Sequence, residues 1–336
     1  MKKRFAIMLV VFMWALFVPI LESKAAFQVS VQTVIPENQL TPQHSFFNLL
    51  LEPGEFQTLE VLLSNPTPED IIVSVEIGPA TTNQNGVVEY GPRDIERDST
   101  LLHSMDELVE APREILVPAN GTATLQLNVQ MPVEPVEGVI AGGITLTEQE
   151  AETDDEAGGG FTIEHRFAMV TAILLRNSEA DIVPELILND VFPDQQNRRS
   201  MILANLQNTS PTFINQVMVE ATVTDVASGF QVLETTRQQM QFAPNSNMYF
   251  PLRLEGQPLE AGNFLLSMTV TSGENTWEFE REFQILAETA DDLNANDVLI
   301  VPTERNWTWI WVSVGVAVLV ITNILTVVYF KRKAQK

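Results

Sequence analysis

Carboxamide side chains with an aromatic ring nearby are the most chemically pointed residues in this sequence. Asn38 and Gln39 lie in one segment; Asn83, Asn85, Gly86 and Tyr90 lie in another. A carboxamide carries both donor and acceptor, so such groups hold acetamido sugars by paired hydrogen bonds while a tyrosine ring stacks on the sugar face. The same residues also fit a purely structural use. Asn85-Gly86 is the favoured pair of a type I′ hairpin turn, and Asn38-Gln39 can satisfy backbone groups in a proline-rich bend.

Catalytic signatures are sparse. Cysteine is absent, and the three histidines, His44, His103 and His165, fall in no HExxH or paired-ligand spacing. There is no GxSxG elbow and no glycine-rich phosphate loop after a strand. His44 beside Ser45 is no triad, because triad members meet in space rather than in sequence. With 44 Asp and Glu residues, carboxylate pairs for glycoside hydrolysis are so numerous that no single pair is informative. Asp292, Asn294 and Asn296 have calcium-loop spacing, but Asp297 stands where the turn needs Gly and Thr303 where the closing Glu belongs. The sequence therefore implies no enzyme, no metal and no cofactor.

Charge narrows the partners. The formal net charge is −25, and eight of the 19 bases sit in the first 24 and last six residues, so the region between is more acidic still. Nucleic acid would be repelled. All bases between Lys24 and Lys331 are arginine, which leaves no lysine amine there for isopeptide bonds or pilus-type transpeptidation. No LPxTG-like pentapeptide precedes the final apolar stretch.

The elements that must position these groups are strands. Period-two alternation recurs, most clearly over Ile71–Ile77, Ala123–Val129 and Val217–Val223, punctuated by Pro53-Gly54, Asn65-Pro66, Asn120-Gly121 and Gly262-Asn263. Trp277, Phe279, Phe283 and Ile285 alternate with Glu278, Glu280, Glu282 and Gln284. This pattern predicts an all-β chain of two tandem immunoglobulin-like sandwiches, residues 26–178 and 179–288, each stabilised by its own hydrophobic core. The motif around Leu63-Ser64-Asn65 echoes that around Leu206-Gln207-Asn208. Ser99 is read as the cap of a short helix from Thr100 to about Glu110, with Leu101, Met105, Leu108 and Val109 on one face. The acidic, glycine-rich stretch 149–160 is an exposed hairpin loop, and 289–306 a hydrophilic stalk.

The chain ends fix the expected topology. Ile310 to Phe330 has no charge, Trp307, Trp309 and Trp311 lie at one border, and Lys331, Arg332, Lys333 and Lys336 follow. As a helix, 307–330 spans roughly 36 Å, enough to cross a hydrocarbon core of about 30 Å. The basic tail, 331–336, is cytoplasmic and the ectodomain outside. At the other end Lys2, Lys3 and Arg4, an apolar run and Ser23-Lys24-Ala25 predict a signal peptide, 1–25, with an uncleaved anchor as the alternative.

Three groups of residues taken together resemble a known family. They are Val34-Ile35-Pro36-Glu37-Asn38-Gln39 with Ala80 to Gly86; Met131-Pro132 with Glu137 to Ile144; and Ala261-Gly262-Asn263-Phe264 with Trp277-Glu278-Phe279. Their order is similar to that in the WxL-interacting proteins of Gram-positive bacteria, over nearly the whole chain. The resemblance implies a peptidoglycan-binding domain followed by a host-binding domain and a membrane span. The implied role is a surface scaffold that associates with WxL-domain proteins, with peptidoglycan and, in some members, with host extracellular matrix proteins. With the chain ends it places the protein in the cell membrane, facing the wall; Asn38, Gln39, Asn83, Asn85, Gly86 and Tyr90, by their amide and aromatic chemistry, are then the candidate wall-contacting residues, with the structural use as the alternative. An extracytoplasmic chaperone and a wall hydrolase are the competing readings.

Overall fold

The computed structural model describes residues 27–149, 167–300 and 312–322. The expected signal peptide, most of the acidic loop and the expected cytoplasmic tail lie outside the described residues, as do 307–311 and 323–330 of the expected span.

Strands form where apolar and polar residues alternate, and they gather into two units. The first holds β1 (Ser30–Val34), β2 (Phe47–Leu50), β3 (Phe56–Asn65), β4 (Ile71–Thr82), β5 (Val88–Tyr90), the short helix α1 (Met105–Leu108), β6 (Val109–Glu110), β7 (Glu114–Val117), β8 (Gly121–Gln130), β9 (Ile140–Glu148) and β10 (Ala168–Arg176). The second holds β11 (Leu186–Gln196), β12 (Arg199–Asn208), β13 (Ile214–Asp225), β14 (Gln231–Phe242), β15 (Ser246–Arg253), β16 (Gly262–Ser272), β17 (Asn275–Ile285) and the helix α2 (Ala287–Asn296). The chain is all-β in the main, as the alternation implies.

In the first unit one sheet runs β1-β3-β8-β6 and the other β2-β10-β9-β4-β5, with β7 beside β4. Both line a single core that includes Phe47, Leu63, Val73, Leu127, Ile144 and Ile173. In the second unit β11-β12-β15 faces β14-β13-β16-β17 across a core that includes Leu206, Val219, Phe242, Phe250, Leu266 and Val270. The orders correspond: β1-β3-β8 matches β11-β12-β15, and β5-β4-β9-β10 matches β14-β13-β16-β17. The first unit is not purely antiparallel, since β10 pairs in parallel with β2. Each fully buried Leu, Val or Phe contributes about 1.5–3 kcal/mol, and this burial stabilises a chain without disulfides.

The short echo between the units has a physical basis. Asn65 ends β3, is 2 % exposed, and its side chain donates to Glu69 O and Val117 O while accepting from Thr67 N. Asn208 ends β12, is fully buried, and donates to Thr212 O and Ala243 O while accepting from Ser210 N. Each amide bonds the backbone two and four residues ahead and the segment leading into the neighbouring strand, so the same side chain fastens the same corner twice.

Two expectations need correction. The helix after Ser99 is shorter than predicted: Asp98 caps the 98–101 turn through Thr100 N, and α1 starts only at Met105, with Ser104 N bonded to the Glu107 carboxylate. Val109 already belongs to β6. The expected stalk does not begin at 289. Residues 287–296 are α2, whose Ala290 and Leu293 pack against the second core, and whose Asn294 side chain bonds both Leu259 N and Leu259 O at 2.8 Å. The calcium-loop spacing is thereby explained away, because residues two apart on a helix point to different sides. Among the described residues no helix is long and apolar enough to cross a membrane; of the expected span only 312–322 are described, and they form a helix, α3, with exposed side chains.

Candidate functional site

The two units meet through a hydrogen-bonded interface, and a cleft opens beside it. The β4–β5 hairpin of the first unit reaches the β14–β15 corner of the second. Gln241 N donates to Gly86 O at 2.7 Å, and Ala243 N to Thr82 Oγ1 at 2.9 Å. The Ser246 hydroxyl donates to Ala243 O, so the Thr82 hydroxyl donates to Ser246 Oγ, 2.8 Å away. Val139 N donates to Pro211 O at 2.8 Å. Ala80, Val139, Ala141, Leu174 and Ala243 form a small apolar cluster across the junction, with Phe46, Val88, Tyr90 and Phe213 around it.

Asp98 anchors the cleft floor. It is 8 % exposed and accepts from Gln207 Nε2 at 2.9 and 3.0 Å and from Asn247 Nδ2. Asn245 Nδ2 donates to Thr100 Oγ1 at 3.1 Å. A charge buried this well holds the irregular 91–104 segment of the first unit on the outer face of the second unit's β11-β12-β15 sheet.

The resulting cleft has a volume of about 700 Å³. Thr81, Asn83, Gln84, Glu89, Arg93, Ile95, Glu96 and Arg97 line it from the first unit; Asn189, Asp190, Asn205, Gln207, Asn247, Tyr249 and Arg281 line it from the second. Alternation on β12 and β15 puts Asn205 and Gln207, then Asn247 and Tyr249, on this outer face, with Asn205 opposite Tyr249 and Gln207 opposite Asn247. A bulge between Leu188 and Val191 turns Asn189 toward Gln207, to which it donates at 2.8 Å.

Of the six residues proposed from sequence, the structure brings only Asn83 into this lining. Asn83 Oδ1 accepts from Asn85 N and Val87 N and its Nδ2 donates to Glu89, so its side chain shapes the hairpin. The turn is not the type I′ expected of Asn85-Gly86: Gly86 alone has positive φ, +71°, with Gly86 N bonded to Asn83 O, the pattern of a type I turn followed by a left-handed glycine. Tyr90 is packed into the junction cluster, and burial pushes its phenol pKa up. Asn38 exchanges two hydrogen bonds with Gln57, at 3.0 and 3.1 Å. Gln39 is 7 % exposed and spends its amide on Thr41 O, Phe46 O and Asn48 N. Both hold the bend before β2. Sequence reasoning missed the wall of amides on β12 and β15 and the basic residues facing it, because alternation marks an outward face without saying what faces it.

Among the described residues the carboxylates with displaced pKa values all move down, the opposite of what a general acid requires. Glu107 is lowered by hydrogen bonds from Arg97 and Ser104, Asp225 by those from the Ser228 hydroxyl and Ala227 N. At Asp297 burial raises the pKa, but hydrogen bonds from Ser200 N and Leu299 N outweigh it. Among the described residues no three His, Asp or Glu side chains are grouped to hold a metal.

An all-β chain with a polar, amide-lined cleft between two sandwiched units has the build of a binding protein. The particular family follows from comparison. The family model described as WxL Interacting Protein, peptidoglycan binding domain, matches residues 29–148, and that described as WxL Interacting Protein, host binding domain, matches 159–295. The chain belongs to the WxL-interacting proteins. The second match begins ahead of β10, although β10 pairs with β9 and β2 of the first unit. No curated protein matches. Among solved structures, the E. coli chaperone DraB is 14 % identical with a TM-score of 0.29, covering 78 % of this chain and 99 % of its own. The Pseudomonas aeruginosa CupB2 chaperone is 14 % identical with a TM-score of 0.27, covering 71 % and 97 %.

Proposed function

We propose that this protein is a non-catalytic surface scaffold that retains WxL-domain proteins at a Gram-positive cell wall, with peptidoglycan and host matrix proteins as further ligands. The observation that carries this reading is the joining of the peptidoglycan-binding and host-binding family domains, in that order, by a hydrogen-bonded interface with a shared cleft. Two immunoglobulin-like sandwiches would stand outside the membrane, held by a single span over 307–330. The uncharged run, its tryptophans and the basic tail support that placement.

A fragment for testing ends at residue 300, because α2 is part of the second core. It should retain a WxL-domain protein from wall extracts, and loss of that protein at high salt would point to the acidic surface as the steering element. Failure to retain any WxL-domain protein in low salt would sink the scaffold reading.

One observation favours a second reading, an extracytoplasmic chaperone. Among the described residues β14 is an edge strand whose ladder partner is β13, its far end bonded to Gly86, and Val232 and Leu233 on it border an apolar groove of about 300 Å³ with Leu254, Leu259 and Phe264. Strand addition there is physically reasonable. A client released once folded separates this reading from a scaffold, which keeps its partner.

A further inference from the structure

Charge, an orphaned atom and an aromatic ring converge on the inter-unit cleft. In a chain of net charge −25, three arginines line this one cleft. Arg93 pairs with Glu89 and Arg97 with Glu107, whereas Arg281 has no carboxylate within ion-pair distance among the described residues and gives one N–H to Leu188 O at 2.9 Å. Asn205 Oδ1 is buried without a donor, a state shared among the described residues only by Arg176 Nε. A buried acceptor left bare costs about 1–3 kcal/mol, which a ligand N–H would recover. Tyr249 stands opposite Asn205 in the strand register, is 43 % exposed, and has its ring held edge-on to Phe192 at 6.1 Å.

We propose that the cleft is a composite site for an N-acetylated, carboxylate-bearing wall saccharide, so that the unit matching the host-binding model supplies half of the peptidoglycan site. This rests on the peptidoglycan reading above and relocates it. The Asn205 side chain turns outward so that its Oδ1 accepts from the acetamido N–H, the carboxylate pairs with Arg281, and the apolar face of the sugar lies on Tyr249. Glu96 and Asp190 also border the cleft, so a ligand with a single carboxylate is favoured over a polyanion.

The test uses the full chain in detergent and two probes: the peptidoglycan disaccharide with a free lactyl carboxylate, and the disaccharide-tetrapeptide, whose carboxylates lie on the peptide. Calorimetry should show binding, tighter for the disaccharide with its single carboxylate than for the tetrapeptide with several; the reverse order would overturn the single-carboxylate preference. Tyr249→Ala and Arg281→Ala should each weaken it by about tenfold or more, with Arg281→Lys recovering part of the loss. Tyr249 is exposed enough that its removal leaves the melting temperature unchanged, so that variant stays informative even if loss of the Leu188 bond perturbs the other. Variants that bind like the parent would overturn the composite site while leaving wall binding intact. A parent that binds neither probe nor insoluble peptidoglycan would overturn both.

Discussion

Gly86 carries two constraints at once. Its φ of +71° suits glycine, and a Cβ there would lie 2.5 Å from Met240 Cβ of the second unit. Gly86→Ala should therefore cost about 2–4 kcal/mol in denaturant unfolding, against about 1 kcal/mol for Gly229→Ala; Gly229 has the same φ with nothing within 4 Å. Equal losses would show that the hairpin tip does not pack as described. Asp297, 7 % exposed, supplies a pH prediction. Its folded pKa lies below the ordinary 3.8, so its stabilisation is present above about pH 4 and is lost as pH falls through the lower folded value. Asp297→Asn should be less stable near pH 7 by about 1–3 kcal/mol, and its urea midpoint should decline less than the parent's between pH 5 and pH 2. Asn38, Gln39 and Asn83 were legible in the sequence as amides with work to do. That the work is internal was not, because their partners Gln57, Phe46 and Glu89 are identified only by the folded path.

Elements show where alternation sufficed and where it failed. β4, β8, β13 and β17 could be read directly, since one buried face imposes a period of two on the sequence. α2 could not: its residues are polar, its cap position is Leu286 without a side-chain bond, and Ala290 and Leu293 are too few to announce an apolar stripe. Such a helix is stable through tertiary contacts rather than propensity. Asn294→Ala, which frees Leu259 N and O, should cost about 1–3 kcal/mol, and limited proteolysis should then cut within 287–296 faster than in the parent. Unchanged cleavage would mean that the helix is held by its apolar contacts alone.

Across the whole molecule the junction decides how the units behave. Thr82, Asp98 and Gly138 of the first unit each engage the second. A Cβ on Gly138, at φ +69°, would lie 2.1 Å from Pro211 O. The parent should melt in one calorimetric transition, and Gly138→Val, which forces the units apart, should resolve two. Two transitions in the parent would show that the interface is too weak to couple them and that the cleft is open to hinge motion.

By itself the sequence determined the strand-rich class, the repeated asparagine corner, the acidic surface and the family, because these are written in local period, composition and ordered motifs. Tertiary structure alone decided that 287–296 packs as a helix, that Gly86 and Tyr90 are spent on the junction, and that Asn205, Tyr249 and Arg281 face Arg93 and Arg97 across one cleft. More than a hundred residues of chain separate the first unit's arginines from the second unit's three residues, and only the docking of the two units brings them to one cleft.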